Sequence, residues 1–142
     1  MFRPLIAAAL VAALVSVAPA ADVPKFPALD AKEWKKQDNG MKVWDVKEGK
    51  GDAVKEGGTV TAHYTLWLTD GKMIQSSKEG GKPFTAPLKN LIKGWQVGMP
   101  GMKPGGVRRF VIPPELAYGK QDKGDIPPDS TLVFEIELIS TK

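Results

Sequence analysis

His63 is the only histidine of this 142-residue sequence, and the sequence contains no cysteine. A thiol nucleophile is therefore excluded, and a zinc site, which needs several His or Cys ligands, is not predicted. The sequence also lacks a G-x-S-x-G elbow, a G-x-x-x-x-G-K phosphate loop and an H-E-x-x-H motif. His63 falls on the polar side of a predicted strand, where a structural histidine is the better interpretation. The sequence therefore offers few residues for acid–base, covalent or metal-ion catalysis.

Aromatic side chains, by contrast, stand at the ends of several predicted elements. Tyr64 lies on the inward face of a strand, and Phe134 lies on the inward face of another. Phe84 follows a proline, Trp95 lies on a helix and Tyr118 lies in a loop. Any one of them is explained by a hydrophobic core, but together they exceed what a small core needs. The set is typical of a half-open apolar cavity with a few polar groups, the usual form of a small-ligand site.

The elements that must position these side chains are mostly strands. Apolar and polar residues alternate with a period of two over residues 41–46, 59–68, 106–112 and 131–140. A short helix is predicted after Asn90, a favourable N-cap residue, and it ends at Pro100-Gly101. We therefore predict an α+β fold in which four to six antiparallel strands curl around one short α-helix.

Residues 1–20 have the pattern of a secretory signal peptide: a short basic start, an apolar run, and small residues at Ala18 and Ala20 before the cleavage site. The apolar run is shorter than the ~20 residues of a transmembrane helix, so no stable membrane anchor is expected after cleavage. A retained anchor is the alternative. We expect export to the periplasm, with secretion to the medium as the alternative.

Residues 21–38 form a charged, proline-containing leader, which we interpret as a linker or an edge wrap. One domain is expected over residues 39–142, with its core over 58–142. The net charge is +4 and the lysines are scattered. A solvated surface is therefore the better interpretation, and no nucleic-acid partner is expected.

Five separated motifs carry a resemblance to a known family. They are TVTAHYTLWLTDGKMIQSS, KPFTAPL, LIKGWQVGM, AYG and IPPDSTLVFEIELI, and they follow one another over roughly residues 40–142. In this order they resemble the FK506-binding-protein (FKBP) type of peptidyl-prolyl cis-trans isomerase, or rotamase. The resemblance implies an antiparallel sheet wrapped around a short helix, and a monomer without cofactor or metal. Its substrates would be proline-containing unfolded or flexible polypeptides, and macrolides would be inhibitors.

The resemblance also implies roles for individual residues. Trp95 would be the floor of a proline pocket, Tyr118 would offer its hydroxyl to a substrate carbonyl, and the backbone N–H of Ile92 would be a second donor. Ile126 would hang from the loop that covers the pocket. The apolar walls would be Tyr64, Phe84, Leu91, Ile92 and Phe134.

The sequence departs from the family in the stretch TDGKMIQSS, where Asp70-Gly71 forms a turn before a returning strand. Members commonly have Phe-Asp where this chain has Ile74-Gln75, and Ala86 replaces a frequent second aromatic residue. By the resemblance, Ile74 would keep an apolar wall of the pocket with less aromatic area, and Gln75 would keep hydrogen bonding there without the charge. The Asp of the family orients the loop tyrosine, which is Tyr118 here. We therefore expect weaker or differently selective isomerase activity and reduced macrolide affinity.

Two other functions are compatible with the same residues. A non-catalytic, chaperone-like module would hold unfolded exported chains in the same groove. A small β-barrel-like carrier would enclose an apolar ligand, but four charged residues in the covering loop argue against a closed cavity. These are Lys120, Asp122, Lys123 and Asp125.

Overall fold

Two ten-residue strands, β3 (Thr59–Leu68) and β7 (Leu132–Thr141), form the centre of the sheet in the computed structural model, which describes residues 23–142. They pair antiparallel, with Tyr64 opposite Ile136 and Leu66 opposite Phe134. Both strands alternate, and their inward residues are buried in one core. The alternation seen in the sequence is therefore the feature that selects the inner face.

Seven strands form one antiparallel sheet in the described part of the chain, in the order β1-β2-β6-β7-β3-β4, with β5 also paired to β3. The remaining strands are β1 (Lys35–Lys36), β2 (Lys42–Lys47), β4 (Met73–Ser76), β5 (Phe84–Pro87) and β6 (Val107–Ile112). Two short helices follow strands: α1 (Ser77–Gly80) and α2 (Lys93–Gly98). Single 3₁₀ turns cover Leu88–Asn90 and Pro114–Leu116.

The predicted fold class is confirmed, with two differences in detail. The sheet has more strands than the four to six predicted, because Lys35–Lys36 pairs with β2 and Phe84–Pro87 pairs with β3. The one predicted helix is α2, and the four-residue α1 is an additional helix that Ser76 caps through its side chain. Within residues 23–142 no helix is long and apolar enough to span a membrane. The predicted signal peptide lies outside the described residues.

Helix α2 packs against β6 through two glycines. A Cβ built on Gly94 would lie 2.6 Å from Cδ1 of Ile112, and one on Gly98 would lie 2.7 Å from Cε1 of Phe110. The low helix propensity of glycine is therefore offset by a close approach of helix and sheet that a side chain would prevent. At the end of the helix, Arg108 donates from Nη1 to the carbonyl oxygen of Gly98 at 2.6 Å.

The predicted start of this helix is wrong. Asn90 is not its N-cap; it ends the preceding 3₁₀ turn, and α2 begins after Ile92 without a side-chain cap. The carbonyl oxygen of Ile92 accepts from the N–H groups of Trp95 and Gln96. Tertiary packing therefore sets this end of the helix, where local propensity favoured a residue two positions earlier.

The leader lies on the outer face of the sheet. The rings of Phe26 and Trp67 meet edge to face, with 5.8 Å between their centroids. Trp34 meets Trp44 in the same way at 5.3 Å, and its Nε1 donates to the carbonyl oxygen of Ala28 at 2.9 Å. Trp67 is only 3% exposed although it points away from the core. The leader therefore covers part of the outer face of the sheet, which the alternation predicts to be exposed to solvent.

Candidate active site

A cavity of about 250 Å³ opens on the concave side of the sheet, between the strands, helix α2 and the loop that precedes β7. Strands and loops that are far apart along the chain contribute its lining. The lining residues are Tyr64, Leu66, Gln75, Phe84, Asn90, Leu91, Ile92, Trp95, Tyr118 and Phe134.

Aromatic rings form the walls of this cavity. The ring centroid of Trp95 lies 5.7 Å from that of Tyr64 and 5.4 Å from that of Phe134. The ring centroid of Phe84 lies 5.8 Å from that of Tyr64 and 6.2 Å from that of Trp95. All four contacts are edge to face, the arrangement that the ring quadrupoles favour. The indole of Trp95 is 4% exposed and so is held firmly by the core beneath it.

Strand pairing explains why these residues meet. Tyr64 and Leu66 are two residues apart on β3 and share its inner face, and Leu66 lies opposite Phe134 of β7. Strand β5 pairs with the other edge of β3, where Ala62 lies opposite Phe84. Helix α2 then lays Trp95 over the curved sheet. The cavity is thus the space between a short helix and three neighbouring strands.

A hydrogen bond joins two polar residues of the lining. The hydroxyl of Tyr64 donates to Oε1 of Gln75 at 2.7 Å. Burial raises the pKa of Tyr64 above its ordinary value, and the nearby Tyr118 adds to this by charge repulsion. The hydroxyl therefore stays a donor at neutral pH. Gln75 thus bonds to Tyr64 and not to Tyr118, the loop tyrosine that the Asp of the family orients.

Two donors of the site face no acceptor within residues 23–142. The hydroxyl of Tyr118 makes no hydrogen bond there; its ring instead lies 5.2 Å from Nζ of Lys123. The backbone N–H of Ile92 also makes none, since the helical bonds at this point begin with its carbonyl oxygen. These are the two donors that the resemblance assigns to a substrate carbonyl.

The structure gathers all but two of the predicted site residues into the lining. Ile126 is 7% exposed and belongs to the buried core, and Ile74 packs against that core from β4. Neither residue is in the lining, and their places at the pocket stay predictions. The lining also contains Leu66 and Asn90, which the sequence did not single out. Leu66 could have been found from its shared face with Tyr64, whereas no pattern points to Asn90.

His63 lies on the opposite face of β3 from the cavity. Its Nδ1 lies 3.0 Å from Oγ of Ser77, and the backbone N–H of Tyr64 donates to the same oxygen at 2.8 Å. This network ties helix α1 to β3, as expected for a structural histidine. Within the part of the chain that the structure describes, no group of three His, Cys, Asp or Glu side chains could hold a metal.

Comparisons with known proteins find a matching family and similar proteins. The family described as FKBP-type peptidyl-prolyl cis-trans isomerase matches residues 50–139. The FK506-binding protein 4 of Aspergillus fumigatus is 47% identical over 109 residues, which cover 75% of this chain and 22% of that protein. The FK506-binding protein of Neisseria meningitidis is 43% identical over 103 residues, which cover 70% of this chain and 94% of that protein.

A solved structure is also similar. The crystal structure of FkpA from Escherichia coli aligns with a TM-score of 0.75 at 42% identity, covering 80% of this chain and 53% of that chain. This chain therefore spans about a fifth of the fungal relative and about half of the FkpA chain, but nearly all of the Neisseria protein.

Proposed function

This chain belongs to the FKBP-type peptidyl-prolyl cis-trans isomerase family, and on that premise we propose that it accelerates rotation about X-Pro peptide bonds in flexible polypeptides. The observation that carries the proposal is the cavity walled by Tyr64, Phe84, Trp95 and Phe134, with two unengaged donors at its edge. A flat, apolar proline ring matches an indole floor with aromatic walls in shape and polarity.

The reaction explains why such a site needs no acid, base or metal. Rotation passes through a twisted amide, over a barrier of ~18–20 kcal/mol. Resonance makes the planar amide more polar than the twisted one, so a cavity poor in water disfavours the planar form relative to the twisted form. An enzyme that binds the twisted form more tightly than the planar form accelerates rotation in both directions.

We assign two groups of this chain to hold the substrate during rotation. The hydroxyl of Tyr118 and the N–H of Ile92 would each donate to a substrate carbonyl oxygen. Tyr64 and Gln75 satisfy each other at 2.7 Å, so they present a neutral polar wall and leave those two donors to the peptide. Macrolide binding is part of the same proposal, with reduced affinity because no carboxylate stands at residue 75.

We also propose that the protein acts on exported chains, as a monomer, in the periplasm. The sequence pattern of residues 1–20 supports export. Uncatalysed X-Pro isomerisation takes tens to hundreds of seconds, which is slow enough to limit the folding of newly exported proteins. An isomerase in that compartment would shorten this step.

The test is a proline-peptide isomerisation assay on the purified protein, compared with a Tyr118→Phe variant. The proposal expects a rate proportional to wild-type protein concentration and a several-fold lower rate for the variant, with the same thermal unfolding midpoint for both. A spontaneous rate with an intact fold would refute catalysis. A chaperone-like module would then be identified by suppressed aggregation of a proline-free client without any proline-dependent rate.

A further inference from the structure

Leu91 and Ile92 join the 3₁₀ turn Leu88–Asn90 to helix α2, and both residues line the cavity. Their backbone is extended, with φ and ψ of −108° and 170° at Leu91 and of −61° and 153° at Ile92. The peptide group between them therefore takes no part in the regular hydrogen bonds of the turn or the helix. Other contacts must fix its orientation.

Each of these two residues has one backbone N–H and one carbonyl oxygen, and only one of the four groups is left unpaired. The N–H of Leu91 donates to the carbonyl oxygen of Leu88 at 2.9 Å. The carbonyl oxygen of Ile92 accepts from the N–H of Trp95 at 3.0 Å and from that of Gln96 at 3.2 Å. The carbonyl oxygen of Leu91 accepts from Nε2 of Gln96 at 2.8 Å. In the described part of the chain, the N–H of Ile92 alone lacks an acceptor.

The side chain of Gln96 determines where this unpaired N–H points. The peptide group that links Leu91 to Ile92 is planar and trans, so its C=O and N–H bonds point in opposite directions. Nε2 of Gln96 holds the carbonyl oxygen on the side of helix α2. Because Gln96 is not a lining residue whereas Ile92 is, the N–H of Ile92 points away from Gln96 and toward the cavity.

Gln96 is itself held on a firmly packed helix. Gly94 and Gly98, two positions before it and two after it, bring α2 into close contact with β6. The part-buried side chain of Gln96 and its own backbone N–H bond to two successive carbonyl oxygens, those of Leu91 and Ile92. A hydrogen bond to a carbonyl oxygen also polarises the peptide group and so makes its N–H a stronger donor.

We propose that Gln96 is a positioning residue of the isomerase, which acts through the carbonyl oxygen of Leu91 to aim the N–H of Ile92 at a substrate carbonyl. This role rests on the proposed function, which assigns that N–H to the substrate, and it makes the donor depend on a residue outside the cavity. Without the amide of Gln96, the peptide group between Leu91 and Ile92 is free to turn, and the N–H loses its fixed direction.

The experiment replaces the amide of Gln96 with groups of similar size that differ in what they donate. Gln96→Met removes the donor, and Gln96→Glu presents only acceptors when it is ionised. Isomerisation of a proline tetrapeptide is followed by NMR exchange without a coupled protease, whose own pH dependence would confuse the result. At neutral pH, Gln96→Met should lower kcat/KM about fivefold, the equivalent of one ordinary hydrogen bond, and Gln96→Glu should lower it at least as far.

The pH profile separates positioning from a merely structural role. A glutamic acid side chain has an ordinary pKa of ~4.3, and its protonated form can again donate to the carbonyl oxygen of Leu91. At about pH 4, kcat/KM of Gln96→Glu should therefore return to within about twofold of the wild type at the same pH. Gln96→Met has no proton to gain, so its deficit should be the same at both pH values.

Val97→Glu is the matched control for the added charge. It introduces the same carboxylate at the next position of helix α2, on a side chain that is 49% exposed. Its kcat/KM should equal that of the wild type at both pH values. Thermal unfolding midpoints at both pH values establish that the rates belong to folded protein. Gln96→Glu is compared at two pH values, so it keeps the test decisive even if Gln96→Met does not fold.

The outcomes distinguish the role of Gln96 from the proposed function. Wild-type kcat/KM in folded Gln96→Met, or in Gln96→Glu at neutral pH, would overturn the role of Gln96 and leave the isomerase standing. A deficit of Gln96→Glu that persists at about pH 4, relative to the wild type at that pH, would also overturn it. If the wild type accelerates no peptide, the proposed function fails and the positioning role fails with it.

Discussion

The hydroxyl of Tyr64 donates to Oε1 of Gln75 at 2.7 Å, across the two strands that form one wall of the cavity. Gln75 lies opposite Leu66, so Tyr64 is its diagonal neighbour on the same face. The pair satisfies two polar groups with neutral atoms, at the position where the family commonly has a carboxylate.

The Tyr64–Gln75 bond should contribute measurably to folding stability. Gln75→Leu should lower the free energy of unfolding by about 1 kcal/mol, because it leaves the Tyr64 hydroxyl without its protein acceptor. Tyr64→Phe combined with Gln75→Leu should lose less than the sum of the single changes. Urea unfolding of the four proteins measures the coupling energy. Strict additivity would show that the bond contributes nothing in solution.

Tyr64 should make stability fall at alkaline pH. Its pKa is raised above 10.0 in the folded protein, by burial first and by Tyr118 second. The unfolded chain therefore releases this proton at a lower pH than the folded chain. The stabilisation that protonated Tyr64 gives is complete below pH 10.0 and is lost as the pH rises through the pKa of Tyr64 in the folded protein. Tyr64→Phe should show a smaller loss of unfolding free energy between neutral pH and about pH 10.5. Equal losses in both proteins would contradict the raised pKa.

Gly94 should be intolerant of a side chain because its added Cβ would meet Ile112 at 2.6 Å. Gly94→Ala should lower the free energy of unfolding by about 1–3 kcal/mol through overpacking, and it should displace Trp95 and so reduce isomerase activity. Gly80→Ala is the matched control, because nothing lies within 4 Å of its added Cβ. That change, in helix α1, should be neutral or stabilising by up to about 1 kcal/mol. Thermal unfolding of both variants decides the point.

Phe26 should anchor the leader to the sheet. Phe26→Ala removes the ring that covers Trp67 and should lower the free energy of unfolding by about 1–3 kcal/mol. Lys25→Ala, at an exposed neighbouring position, should have little effect. Limited proteolysis should also cut the leader faster in Phe26→Ala. Unchanged unfolding and unchanged cleavage would mean that the leader is free in solution.

Much of the fold was predictable because alternation is a local signal. Strand β3 was predicted at its observed bounds, and β7 was predicted to within a residue at each end. The places of Tyr64 and Phe134 follow from these strands, since inward positions on paired strands face the same side of the sheet. The role of this cavity as the site of catalysis stays a prediction.

The remaining features depend on contacts that no local pattern encodes. Lys35–Lys36 has no apolar alternation and becomes a strand only because the edge of β2 offers it hydrogen bonds. Helix α2 begins later than Asn90 because packing outweighs capping preference. The partner of Gln75 follows from the strand register, which pairs it diagonally with Tyr64 and leaves Tyr118 free.

The position of β7 in the sheet has a consequence for the order of events in folding. This last of the described strands pairs with both β3 and β6, and its Ile136 and Leu138 face Tyr64 and Ala62, which lie far earlier in the chain. Contacts between such distant residues raise the contact order, and loop closure must precede them. A nascent chain ending before Leu132 therefore lacks the centre of its sheet. The domain folds only after nearly all of it has been synthesised.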